Sequence, residues 1–87
     1  HEARTYHLRT KGGRQEVDLI LQHRDHRVVA IEVKLSATVD DRTVRHLHWL
    51  RDQLGDDLLD AIVVTTGTHA YRRPDGIGVV PAALLGP

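Results

Sequence analysis

The sequence predicts a small α/β domain of the α+β kind. Its parts are a three-stranded antiparallel meander, a crossover helix, a fourth strand parallel to the third, and a small C-terminal edge hairpin. Three observations predict it. Thr5 to Thr10, Glu16 to Gln22 and Arg27 to Leu35 carry strand-like patterns separated by turn residues. A helical stripe follows, formed by Val44, Leu47, Leu50 and Leu54. After it comes an unbroken apolar run, Ala61-Ile62-Val63-Val64-Thr65. A helix between two strands supplies the crossover that parallel pairing needs.

The elements are read in order. His1 to Arg4 carries no pattern and reads as a ragged end, either a scar or a cut helix or loop. Lys11-Gly12-Gly13-Arg14 is a hairpin signal, because paired glycines supply the positive φ angles of a tight turn. With Gly12 and Gly13 as turn residues, Leu8 meets Val17, Tyr6 meets Leu19, Arg9 meets Glu16 and His7 meets Asp18. Apolar residues then face apolar residues, and charges face charges.

The second hairpin fixes the chemistry. A two-residue turn at Arg24-Asp25 would set Asp18 against Ile31. A three-residue loop, Arg24 to His26, sets Val17 against Val33, Leu19 against Ile31, Leu21 against Val29 and Asp18 against Glu32. A slip of one residue turns every side chain to the wrong face, so the apolar pattern selects the longer loop. In the third strand, Val29, Ile31, Val33 and Leu35 form the face expected to pack. Ala30, Glu32 and Lys34 form the other.

Thr38 and Asp41 resemble a helix N-cap pair. The helix is expected to end near Leu54, with Trp49 beside its stripe and Gly55 as C-cap. Asp56, Asp57 and Asp60 are placed in the next loop. The Ala61–Thr65 run is expected to be buried on both faces. Thr66-Gly67-Thr68-His69 reads as a turn. Ala70 to Arg73 and Ile77 to Val80 flank Pro74-Asp75-Gly76 as a short hairpin. Pro81 opens a last helical turn, Ala82 to Leu85.

Composition sets bounds. The 87 residues make one domain with a modest core, which must be packed by Leu, Val, Ile and Ala because Phe and Met are absent. No cysteine is present, so disulfides and thiolate metal sites are excluded. No apolar run approaches the roughly 18 residues that span a bilayer, and no signal peptide is visible. Net charge is zero, so any pull toward nucleic acid must come from local segregation of charge. Ten of the twelve basic residues are Arg, which sets apart Lys34 within Glu32-Val33-Lys34.

Asp18 beside Glu32 places two carboxylates together, which is destabilising unless a cation lies between them. That cation is either Lys34 itself, in a cross-strand ion pair, or a metal. His7 and Glu16 are second-tier candidates, with His7 read first as a hydrogen-bond partner of Asp18. His46 and His48 stand two apart on a helix, cannot chelate one ion and are taken as surface residues. His23 and His26 flank a turn. Zinc has neither a thiol nor an i,i+4 histidine pair to hold it. Arg4, Arg9, Arg14, Arg24 and Arg27 make the meander basic, but Glu2, Glu16 and Asp25 dilute it into a solvated face.

In this β-β-β-α-β order, Asp18 with Glu32-Val33-Lys34 resembles the PD-(D/E)XK nuclease superfamily with its restriction-endonuclease-like core. More narrowly, the chain is similar to the C-terminal domain of unknown function carried by bacterial and archaeal AAA-type ATPases. Arg9-Thr10-Lys11-Gly12-Gly13, Glu16-Val17-Asp18 and Ile31-Glu32-Val33-Lys34 carry the resemblance. So do Leu54-Gly55-Asp56, Val63-Val64-Thr65-Thr66-Gly67 and Val80-Pro81-Ala82-Ala83-Leu84. Two departures stand out. The superfamily's further acid, on a helix before the first strand, has no counterpart, and Glu2 lies too close to the first strand for that role. There is also no Walker-type phosphate loop.

The resemblance implies a cytoplasmic, C-terminal fragment of an ATPase chain. It implies Mg²⁺ or Mn²⁺ bound by Asp18, Glu32 and the Val33 carbonyl, with Lys34 as a catalytic partner and nucleic acid as substrate. The runner-up reading is a non-catalytic binding, regulatory or oligomerisation domain on the same fold, which docks on the ATPase region, a partner protein or a second copy of itself.

Overall fold

Ala30 and Ala61 are neighbours on adjacent strands, and both are buried. Their small side chains leave room for a helix to lie close against the sheet. A computed structural model describes residues 3–9, 16–23 and 25–85, with side chains for Ile20, Gln22 and 25–85. The elements are β1 (Ala3–Arg9), β2 (Glu16–His23), β3 (Val28–Val33), α1 (Arg45–Leu54), β4 (Leu58–Thr65), β5 (Tyr71–Arg72) and β6 (Gly78–Pro81). They form an α+β fold of one helix on one mixed sheet, ordered β1-β2-β3-β4-β6-β5.

The meander forms as expected. β1 and β2 pair antiparallel with Leu8 against Val17 and Arg9 against Glu16. Further along, Tyr6 meets Ile20 instead of Leu19, because the register shifts between Tyr6 and Leu8. His7 therefore spans two residues of β2, Asp18 and Leu19, rather than meeting Asp18 alone. Such irregularities interrupt a ladder and bend the strand that carries the extra residue. The glycine turn expected at 11–14 lies outside the described residues.

β2 and β3 pair with Leu19 against Ile31 and Leu21 against Val29, the register of the three-residue loop. His26 has φ 69°, the left-handed residue that closes such a loop.

β3 and β4 run parallel, joined by α1. The helix begins at Arg45, later than the Thr38–Asp41 pattern suggested. Asp40 and Thr43 bond to one another and hold residues 40–43 in a turn. Val44, Leu47 and Leu50 are buried as the stripe predicts, with Leu54 and Trp49 packed against them. Gly55 caps the end with φ 54°.

The helix covers a different side of the sheet from the one expected. Val28, Ala30, Ala61, Val63 and Ile20 join its stripe in the core. Val33 is 49 % exposed and Leu35 88 %, while Val29, Ile31, Ile62 and Val64 are half-buried. The helix side carries the small pair Ala30 and Ala61 among Val28, Val63 and Ile20, whereas the open side carries branched residues alone along Val29, Ile31, Ile62 and Val64. β4 thus alternates between buried and half-buried positions and is not buried on both faces. It also starts at Leu58, so Asp60 is a strand residue rather than a loop one.

The C-terminal hairpin turns at 74–76, with Gly76 at φ 88°. Its second strand is the inner one: β6 pairs parallel with β4, and the two-residue β5 lies outside it. A short 3-10 turn, Ala82–Leu84, follows Pro81. No helix among the described residues is long and apolar enough to cross a membrane.

Candidate functional site

At the C-terminal end of β3 the chain stays tied to β4. The Lys34 N–H donates to the Val64 carbonyl (2.8 Å), and the Thr66 N–H to the Ser36 carbonyl (3.3 Å). This clamp holds Glu32, Val33 and Lys34 along one wall of a cleft of about 460 Å³. Residues 40–46, which lead into α1, supply the other wall through Asp40, Arg42, Thr43, Arg45 and His46. A crossover helix must start near the end of the strand it leaves, so both walls follow from the topology. The cleft lies beyond the carboxyl ends of parallel strands, where α/β sheets commonly hold ligands.

Glu32 lies in register with the buried Val63, and its Oε2 atom is shielded from solvent. Lys34 is exposed. Asp40 accepts the Thr43 amide (3.0 Å) and the Thr43 hydroxyl (3.0 Å) on one carboxylate oxygen. These bonds, with the charge of Lys34 adding to them, hold its carboxyl below the usual range against a small opposing push from burial. Asp40 thus stands in the wall as an anion beside Lys34. α1 itself begins without a side-chain cap and without an acid in its first turn.

Glu32, Val33 and Lys34 are thus brought to one cleft. Asp18 lies in β2, and the β2–β3 pairing reaches Leu19 and Ile31, one residue short of Asp18 and Glu32. The side chains of Asp18, His7, Glu16, Arg4, Arg9 and His23 lie outside the described residues, as do Arg14 and Arg24. Arg27 pairs with its neighbour Asp25 (2.7 Å). Among the described residues, no three His, Asp or Glu side chains cluster to hold a metal. The donors proposed from the sequence, two carboxylates and the Val33 carbonyl, are all oxygens. That set fits a hard cation such as Mg²⁺ or Mn²⁺ and not zinc.

The sequence reading missed Asp40, Arg42, Arg45 and His46. Their signal was their position at the entrance of the crossover helix. His46 and His48 are half-buried instead of lying on the surface. His46 lines the cleft, while the His48 Nε2 lies 2.7 Å from Asp75 Oδ2. That second contact belongs to a separate network. Asp75 also accepts the Ile77 amide and the Arg73 guanidinium, and Arg73 reaches on to Asp41 and the Val39 carbonyl. Arg51 donates to the Asp75 backbone carbonyl (2.6 Å). This web ties the 73–77 turn to α1.

The fold and the cleft define a small α+β domain with a polar pocket of mixed charge at the end of its parallel strands. The chain belongs to the family described as Domain of unknown function (DUF4143), whose model matches residues 1–85. No curated protein and no solved structure matches it.

Proposed function

We propose that this domain is a nuclease-like module of the PD-(D/E)XK type, with a metal-dependent phosphodiester-hydrolysis site at Asp18, Glu32 and Lys34. The observation that carries this reading is the cleft at the end of β3, where Glu32, Val33 and Lys34 share one wall and Asp40, Arg42, Arg45 and His46 share the other. The meander, crossover helix and parallel fourth strand support a restriction-endonuclease-like core. The motif resemblance, from Arg9-Thr10-Lys11-Gly12-Gly13 to Val80-Pro81-Ala82-Ala83-Leu84, is the ground for a place at the C-terminal end of an AAA-type ATPase chain.

Asp18, Glu32 and the Val33 carbonyl would hold Mg²⁺ or Mn²⁺. When bound, that ion supplies an acidified water and charge stabilisation at the phosphate. The Lys34 ammonium orients the attacking water and offsets charge on the scissile group. The exposed Val33 and Leu35 favour one competing reading, a non-catalytic domain that binds the ATPase region or pairs with a second copy.

Titration with Mn²⁺ by calorimetry, paired with a cleavage assay on DNA and RNA, separates the two. The 87-residue chain is expected to bind Mn²⁺. Asp18→Asn and Glu32→Gln are each expected to weaken binding by about tenfold or more, on the scale of about 1.4 kcal/mol. Lys34→Ala is expected to keep the ion and lose cleavage. Self-association with no response to Mn²⁺ would establish the competing reading.

A further inference from the structure

Six arginines have described side chains, and four of them are engaged. Arg27 pairs with Asp25, Arg72 with Asp60, and Arg73 with Asp41 and Asp75, while Arg51 donates to the Asp75 carbonyl. Arg42 and Arg45 enter no ion pair or side-chain hydrogen bond among the described residues. Both are exposed, both line the same cleft, and they stand three residues apart at the entrance of α1. The acids nearest to them in sequence are engaged elsewhere: Asp41 pairs with Arg73, and Asp40 accepts two bonds from Thr43 on one oxygen. With Lys34 opposite, the cleft carries three fixed positive charges against the carboxylates of Glu32 and Asp40.

We propose that Arg42 and Arg45 form a clamp for the backbone phosphates that flank the group held at Glu32 and Lys34, and so act as positioning residues. This rests on the phosphodiester reading above. A guanidinium presents paired donors that match two phosphate oxygens, and its charge persists at any physiological pH. Two such forks on one wall, facing Lys34 on the other, suit an extended phosphodiester strand better than one isolated anion. Arginines with no ion pair or side-chain hydrogen bond among the described residues give up none of those bonds when a ligand takes them.

The test is binding of a short fluorescein-labelled single-stranded oligodeoxynucleotide, followed by anisotropy without divalent metal between about 50 and 200 mM salt. The double variant Arg42→Gln/Arg45→Gln is expected to bind about tenfold more weakly. Its log–log salt slope is expected to be shallower by about 1.4, the single-strand value for two lost phosphate contacts. Arg42→Lys/Arg45→Lys should recover most of the slope but not all of the affinity, because the charge returns without the fork. Arg27→Gln, away from the cleft, should leave both unchanged.

Equal affinity and slope in wild type and the Gln double variant overturn the clamp. So does displacement of the strand by inorganic phosphate at equal phosphate concentration, since the cleft would then take a free anion. Mn²⁺ titration keeps the two readings apart. Unchanged Mn²⁺ binding with an unchanged oligonucleotide slope sinks the clamp alone. Loss of the slope in a chain that binds no Mn²⁺ sinks the metal site alone.

Discussion

Leu47→Ala is expected to lower the free energy of unfolding by about 3 kcal/mol, within the range of about 2–5 kcal/mol for buried leucines. Leu47 is fully buried at the centre of the helix stripe, between Val44 and Leu50. The cost has two parts: the lost transfer energy of the side chain, and the cavity left behind. The second part is large here because Ala30 and Ala61, on the sheet beneath the helix, have no side chain long enough to fill the gap. Domains of this kind hold only about 5–15 kcal/mol in total, so one residue carries a large share. Urea titration followed by circular dichroism measures it. Leu84→Ala, at a site 65 % exposed, serves as the control and should change stability by less than about 0.5 kcal/mol. A cost for Leu47→Ala as small as the control's would mean that the helix does not pack on Ala30 and Ala61.

The next largest effect falls on the web around Arg73. Arg73→Ala is expected to cost about 2 kcal/mol, since its guanidinium makes charged bonds from a site only 13 % exposed. The short contact to Asp41 contributes least, because that carboxylate is 96 % exposed and water screens it. The contact to Asp75, which is 19 % exposed, counts for more.

The same web makes stability depend on pH. Burial pushes the Asp75 carboxyl up. The Ile77 amide, His48 and Arg73 together outweigh that push and hold it below the usual range. A carboxylate depressed in the folded state stabilises the fold at pH above its unfolded value, about 3.9. That contribution is lost as pH falls through the folded value. Denaturation midpoints should therefore drop as the solution is acidified below about pH 4, and Asp75→Asn should flatten that drop. An unchanged acid limb in Asp75→Asn would show that Asp75 does not contribute to it.

The hairpins were legible because strand periodicity admits few registers. Leu19 meets Ile31, and Leu21 meets Val29, since any other loop length mixes polar with apolar residues. The helix stripe was legible for the same reason. The covered side of the sheet was not. Val29, Ile31, Val33 and Leu35 are greasier than Val28 and Ala30, yet the helix follows small residues that let it approach. Hydrophobicity ranks the two sides, whereas close packing chooses between them. The step at His7 was also hidden, because Val17, Leu19, Ile20 and Leu21 are all apolar and the sequence alone does not show that the facing set changes from Val17 to Ile20. Of the cleft, Glu32-Val33-Lys34 was legible as a local motif. Asp40, Arg42, Arg45 and His46 were not, because they become neighbours of that motif only when the crossover returns over the end of β3.

Threading β6 between β4 and β5 has a protective consequence. Ala61-Ile62-Val63-Val64-Thr65 is uncharged, rich in branched residues and free of proline, the composition that stacks into cross-β aggregates. β6 pairs from Ile62 to Thr65 and so keeps that segment from becoming a sheet margin. The margin presented instead is β5, only two residues long and carrying Arg72, a poor template for recruiting another strand. β6 therefore acts as a gatekeeper: its loss would leave the uncharged Ala61–Thr65 run as an open sheet margin.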